Sequence, residues 1–276
     1  STLNPDALLY RRNKGLQDYD ERMAILIMTV EGKQFKNFFF PDAAGVAFGR
    51  NLYRWAPQIK REDGFVRLVM GLGTRAVDRV GNDYPRLIAL SHPVLRPTPD
   101  QRTIVRCSQQ YLDLIDLEEN AVKSLPVHEV LDADYPALRH IAQINEEGYF
   151  SSLRSRLMES DRDKLVLTFE DLLKRTDFAG KMKTILNTLE AGYKYPVDLE
   201  FTLDIQDTNS GKPDLKFAVL QCRPQSQLAE GKDVKIPGHL PEKDIIFQTE
   251  FMVPQGVIED IEYVVFVPPA MYFTLT

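Results

Sequence analysis

The residues best suited to chemistry lie in one segment, VDLEFTLDIQDTNSGKPDLKFAVLQCRPQ (residues 197–225), where Asp198 and Glu200, then Gln221 and Arg223, stand two residues apart. In an extended strand alternate side chains share a face, so each pair projects to one side. The polar stretch 207–214 predicts a turn, and the hairpin it closes can bring Glu200 close to Gln221. A carboxylate and an amide oxygen suit magnesium, a hard cation that takes oxygen ligands and keeps waters and phosphate oxygens around it. Arg223 beside them could fork onto a phosphate oxygen. The same residues also suit a surface hairpin whose polar face simply meets water, and spacing alone leaves both readings open.

The elements that must position these residues are legible in part. Strand-like runs rich in β-branched and aromatic residues recur at 23–31, 44–49, 64–70 and 87–91, separated by Gly, Pro, Asn and Asp. Residues 103–115 read as a strand entering a loop, and 135–157 mix helical spacing with glycine and aromatics. Residues 164–169 predict a buried strand, and 169–175 and 178–193 predict helices. In the second of these Met182, Ile185, Leu186 and Leu189 form one face. Pro196 stops helical continuation, and strands follow at 197–205 and 215–221. Two further strands at 245–253 and 258–267, joined through Pro254, Gln255 and Gly256, predict a second hairpin.

The chain has 276 residues, 43% hydrophobic and 27% charged, a balance that suits a globular protein with a substantial core. A net charge of -6 gives no general attraction to nucleic acid or anionic lipid. No run approaches the roughly 20 apolar residues of a membrane-spanning helix, and the first twenty residues lack the apolar centre of a secretory signal. A cytoplasmic location is the resulting expectation. Cys107 and Cys222 predict two reduced thiols, and the four histidines show no ligand spacing.

Four stretches, in order, resemble one family. YRRNKGLQDYDERMAILIMTVEG is similar to its YR segment and following strand; GVAFGRN to its GVAF-[ST]-RN segment; RLVMGLGTRAV to its GLGE-x-[VI]-V element. PVDLEF followed by VLQCRPQ resembles its closing D-I-E-[FW] and L-Q-x-R motifs. The family is that of phosphoenolpyruvate synthase and pyruvate phosphate dikinase, and the match lies in the later part of its ATP-grasp domain. The resemblance implies an α+β fold: an antiparallel sheet like the C-terminal subdomain of ATP-grasp proteins, with packed helices, plus the C-terminal β hairpin. Residues 1–225 would be a partial nucleotide-binding domain, and 226–276 a linker and truncated hairpin extension.

The resemblance also implies roles. Glu200 and Gln221 would ligate magnesium on ATP, and Arg223 would stabilise the phosphate in transfer. Gly71 and Gly73, ahead of a helix starting near Thr74, could present backbone N–H groups to an anion, or serve only as tight-turn glycines. Two positions depart from the pattern: Thr74 stands where the family has glutamate, and Gly49 where it has a hydroxyl residue. The family's earlier ATP-grasp subdomain and its phosphohistidine segment, TGGxTSHAA, have no counterpart in these residues. The expected partners are therefore ATP, that missing subdomain, the phosphohistidine domain and, in a longer parent protein, pyruvate. By this reading the chain is the ATP-binding portion of a phosphotransferase and is inactive alone. The alternative is a noncatalytic nucleotide-binding regulatory module, and a third reading is a β-rich interaction domain.

Overall fold

The computed structural model describes residues 8, 11–12, 15–16, 18–19, 25–78, 80–81, 83–153, 159–208, 212–225, 240–245, 260–268 and 271. The chain divides into two units, Ser1–Val30 and Glu31–Thr276. In the first, Arg11 donates through Nη2 to the carbonyls of Tyr19 at 2.6 Å and Leu16 at 3.3 Å. The second unit contains twelve described strands and six α-helical segments. The strands are β1 (Lys33–Phe35), β2 (Phe38–Phe40), β3 (Ala43–Phe48), β4 (Phe65–Val69), β5 (Arg86–Ala89), β6 (Tyr111–Asp116), β7 (Ala121–Pro126), β8 (Ala142–Glu146), β9 (Tyr149–Ser152), β10 (Leu165–Leu167), β11 (Val197–Gln206) and β12 (Asp214–Pro224). The helices are α1 (Thr74–Val77), α2 (Gln101–Arg106), α3 (Val127–Val130), α4 (Leu138–Ile141), α5 (Glu170–Arg175) and α6 (Phe178–Tyr193).

Three antiparallel sheets organise these strands, in the orders β12-β11-β3-β4-β5, β1-β2-β6-β7 and β10-β8-β9. This is the mixed α+β, antiparallel architecture that the sequence predicts. The five-stranded sheet positions the candidate site. Its β11 alternates cleanly: Val197, Leu199, Phe201, Leu203 and Ile205 are buried in the main core, while Asp198, Glu200, Thr202 and Asp204 take the opposite face. Beside it, β3 carries Ala43, Ala44, Gly45 and Ala47, and a Cβ on Gly45 would lie 2.2 Å from the Arg67 carbonyl oxygen. No side chain fits at Gly45, because the β4 backbone passes so close.

Helix α6 covers the core face of this sheet, packing against β11, β12 and β3. Phe178, Met182 and Leu186 recur every four residues and are buried, with Ile185 and Leu189 beside them, as the helical spacing predicts. Phe178 meets Phe201 and Phe217 with ring centroids 6.4 and 5.7 Å apart, tying the helix to both strands of the hairpin. Removing a buried phenylalanine of this kind costs about 3–5 kcal/mol. The helix closes at Lys194, whose φ of 55° is left-handed and whose N–H donates to the Glu190 carbonyl. Tyr195 and Pro196 then pass directly into β11.

A buried polar knot holds the sheets in register. Asp42 is fully buried, and it accepts from Lys33 Nζ at 2.7 Å, from the Ile205 N–H at 2.7 Å and from the Tyr135 hydroxyl. Burial raises the Asp42 pKa, and the hydrogen bonds from Lys33, Tyr135 and Ile205 work against that rise.

Several local expectations are corrected. Residues 25–32 form no strand, and Ile25, Leu26 and Ile27 are 87%, 79% and 89% exposed. β-branched text makes a strand only where an edge is available to pair with it, and the described ladder starts at Lys33. The predicted strand at 103–115 begins as α2, because Asp100 caps it by accepting from the Thr103 N–H at 2.8 Å. Its later part is β6. In the mixed segment 135–157, of which 154–157 lie outside the described residues, α4 is followed by the β8–β9 hairpin, turned by Gly148 at φ 91°. Of the C-terminal hairpin, 246–259 lie outside the described residues, whereas 260–268 are exposed and form no strand.

Candidate functional site

The β11–β12 ladder sets the geometry. Glu200 pairs with Gln221 and Asp198 with Arg223, and the register shifts between Glu200 and Phe201, where Phe201 pairs with Val219. Leu220 is therefore the extra residue of a β-bulge. The consequence is a change of phase: Leu215, Phe217 and Val219 lie opposite core-facing residues, and beyond the bulge Cys222 does so while Gln221 and Arg223 lie opposite the carboxylates. Without the shift Gln221 would pair with Leu199 and turn to the core face.

Pairing continues across the sheet. Glu200 lies opposite Val46, which lies opposite Arg67; Asp198 lies opposite Phe48, which lies opposite Phe65. Two rows thus cross the strands on one face: Gln221, Glu200, Val46 and Arg67, and beside it Arg223, Asp198, Phe48 and Phe65. With strands about 4.8 Å apart, the backbones of Glu200 and Arg67 are roughly 10 Å apart. All of these side chains except Gln221 line a cavity of about 190 Å³, together with Arg50, Tyr53 and Gln225. A second concavity of about 270 Å³ adjoins it, sharing Val46, Val77 and Glu200 and adding Gly73, Thr74, Asp78 and Leu220.

Cations and carboxylates stand side by side on this face. Arg67 lies 5.5 Å from the Phe48 ring centroid and, among the described residues, has no carboxylate within ion-pair distance. Arg50 donates to the Gly49 carbonyl at 2.8 Å and reaches Glu190 at 3.3 Å. Gln225, 2% exposed, braces that segment by accepting from the Arg50 N–H and donating to the Arg50 carbonyl, both at 3.2 Å. Arg223 is exposed, with Nε 3.9 Å from Asp198 Oδ2, beyond hydrogen-bonding range. Asp198 is only 9% exposed and its Oδ1 has no hydrogen-bond partner. Burial raises its pKa, against the opposing pull of Arg223 and Arg67. Glu200 and Gln221 make no side-chain hydrogen bond among the described residues.

The structure therefore brings Glu200, Gln221 and Arg223 to one face, with Gln221 outside the lining of both cavities. Asp198 and Arg67 join them. Sequence reasoning paired Asp198 with Glu200 without a role and did not select Arg67, whose only sequence signal is a cation inside an otherwise apolar strand. The two glycines part company. Gly73 (φ 91°) lines the second concavity. Gly71 (φ 90°) packs against β6, where a Cβ would lie 2.6 Å from the Asp113 carbonyl oxygen. That same oxygen accepts from the Leu72 N–H at 2.9 Å.

Thr74 and Gly49 gain a local explanation. The Thr74 hydroxyl donates to Asp113, whose other oxygen accepts from Arg75 Nε at 3.2 Å. Arg75, buried, also pairs with Asp83. Thr74 thus belongs to the network that seats α1 on β6. At Gly49 a Cβ would lie 1.8 Å from Glu190 Oε1, so glycine leaves room for that carboxylate to cross to Arg50.

The donor set Asp198, Glu200 and Gln221 is all oxygen, and the unpartnered Asp198 Oδ1 is an acceptor without a donor; both fit magnesium. Among the described residues no cluster of three or more His, Cys, Asp or Glu could hold a metal ion by itself. A metal here would depend on phosphate oxygens and water for its remaining ligands.

An antiparallel α+β domain with a carboxylate, amide and arginine face of this kind defines an ATP-grasp-like nucleotide-binding class. The description "Pyruvate phosphate dikinase, AMP/ATP-binding domain" belongs to the family model that matches residues 1–244, and the chain is a member of that family. No curated protein matches the chain. No described helix is long and apolar enough to cross a membrane.

Proposed function

We propose that this chain forms the phosphate-facing wall of an ATP site in a phosphoenolpyruvate synthase-like phosphotransferase, with residues 1–225 as the nucleotide-binding part, acting in the cytoplasm. The observation that carries the reading is the bulged register that sets Glu200 and Gln221 against each other beside Asp198 and Arg223. Phosphoryl transfer depends on positioning and charge stabilisation more than on a protein nucleophile, so such a wall can be the principal machinery.

In this reading Glu200 and Gln221, with Asp198 Oδ1 beside them, hold magnesium, which neutralises phosphate charge when bound. Arg223 is exposed and free to swing, which suits it to the phosphate being transferred. Arg67, 5.5 Å from the Phe48 ring centroid, provides a cation for the remaining phosphates. A cavity of about 190 Å³ is one side of a cleft rather than an enclosure, and full positioning needs a second wall. The purified chain is therefore expected to bind Mg-ATP weakly and to make no phosphoenolpyruvate from pyruvate, ATP and magnesium. In the longer parent protein, a phosphohistidine domain and pyruvate are the proposed downstream partners.

The noncatalytic alternative draws on one observation: Thr74, in the place of the family's glutamate, is committed to Asp113. The test is calorimetric titration of the chain with ATP and AMP across a magnesium series, for the parent sequence, Glu200→Gln, Arg223→Ala and Arg67→Ala. Glu200→Gln should raise the magnesium requirement. Arg67→Ala should weaken ATP more than AMP, because its cation faces the phosphates. If all three variants bind Mg-ATP like the parent sequence, this face is an ordinary solvated surface. In the full-length protein, Arg223→Ala should slow transfer on the order of 10³-fold, and a full-length protein that binds ATP without transferring phosphate would favour the regulatory module.

A further inference from the structure

A further cavity, of about 360 Å³, opens beside the edge strand of the same sheet, between β5, α2 and the segment joining β10 to α5. Its walls are mainly apolar, with Pro97, Ile104, Leu167 and Phe169 among them, yet two arginines, Arg86 and Arg96, also line it. The volume falls within the roughly 300–1,000 Å³ of small-molecule sites.

The charges around it do not balance. Arg86 is 7% exposed, and among the described residues its guanidinium meets only carbonyls: Leu87 at 3.1 Å, and Pro93 and Val94 at 3.3 Å each. Its Nε is buried without any partner. Arg96 donates to the Thr168 carbonyl at 3.1 Å and reaches Glu170 at 3.4 Å. Glu170 is shared with Lys174, 2.9 Å away. One carboxylate thus faces three cations. Arg75, also buried, instead pairs with both Asp83 and Asp113. Burial and the proximity of Arg96 together push the Arg86 pKa down to about 9, as expected of a cation lacking a counter-ion. A buried charge is costly unless neutralised, and a bound anion would neutralise this one.

We propose that this cavity is a binding site, separate from the nucleotide wall, for a small organic carboxylate with an apolar body: the body fills the space lined by Ile104, Leu167 and Phe169, and the carboxylate meets the Arg86 and Arg96 end. An inorganic anion would leave the apolar walls unfilled, and a neutral apolar molecule would leave the arginines uncompensated. The site needs no nucleotide, so its test stands apart from the ATP reading.

The probes are 3-phenylpropionate and its neutral amide, 3-phenylpropanamide, titrated against the whole chain without nucleotide and followed by heteronuclear NMR. Cys107 lines the cavity, so N-ethylmaleimide modification of a Cys222→Ser variant reports occupancy at the site itself. Saturable binding of the carboxylate should slow Cys107 modification, and the amide should bind at least about tenfold more weakly, since a charge-assisted hydrogen bond contributes about 1.5–3 kcal/mol. Ile104→Trp, which fills the cavity, and Arg96→Gln, which removes one cation, should each weaken the carboxylate by a similar factor or more. Equal binding of acid and amide, binding undiminished in both variants, Cys107 modification unaffected at saturation, or no saturable binding would each overturn the proposal.

Discussion

Asp198→Asn should make the ligand-free protein more stable while removing a ligand to the proposed metal. The carboxylate is 9% exposed, one oxygen has no donor, and the nearest cation is an exposed Arg223 with Nε at 3.9 Å. An ion pair at that distance has an attraction of about 4 kcal/mol at an effective dielectric of 20, but exposure of the arginine screens much of it. Against it stands a desolvation penalty of about 1–3 kcal/mol for a buried acceptor left unsatisfied. The raised Asp198 pKa says that burial outweighs the attraction. The sign follows from linkage: the folded state holds the proton more tightly than the unfolded chain. The penalty is therefore absent below the unfolded carboxylate pKa, grows as pH rises to the folded pKa, and is constant above it. Neutralising the side chain should raise stability by about 1 kcal/mol at pH 7, and the gain should shrink towards zero as pH falls through the carboxylate range. Urea unfolding at pH 7 and near pH 4 measures it, with midpoints compared at constant slope. An asparagine variant that is equally or less stable at pH 7, or whose advantage grows in acid, would refute the reasoning.

Three further substitutions test how the site is held. Gly71→Ala should cost more than about 2 kcal/mol, since a left-handed residue gains a Cβ 2.6 Å from the Asp113 carbonyl oxygen. Gly81→Ala, with φ 57° and nothing within 4 Å, should show only the backbone cost, so equal losses of melting temperature in the two would mean that the close approach to β6 is unimportant. Tyr135→Phe should destabilise by about 1–3 kcal/mol in denaturant titrations, because it leaves fully buried Asp42 one donor short. A neutral result would show that Lys33 and the Ile205 N–H satisfy Asp42 unaided.

Much of this protein was legible in its sequence wherever the cause is local. Alternation in VDLEFTLDI assigns Asp198 and Glu200 to one face whatever that strand later meets, because the side-chain period of a strand is two. The four-residue recurrence of Phe178, Met182 and Leu186 assigns a buried stripe to α6, and the ordered motifs assign the family. Even the bulge leaves a trace, since the residues of β12 packed on the core pass from odd positions, Leu215 and Phe217, to an even one, Cys222.

What tertiary structure alone decided are the pairings between residues distant in the chain. Arg67 joins the site because β4 pairs with β3 and β3 with β11, placing it in a row with a glutamate far along the sequence. No local period records which strands become neighbours. For the same reason residues 25–31 read as a strand and are not one, while Gly71, which reads equally as an anion-binding or a tight-turn glycine, packs against a backbone carbonyl. Side-chain periodicity specifies what a segment can offer, and burial against a particular partner specifies which offer is taken up.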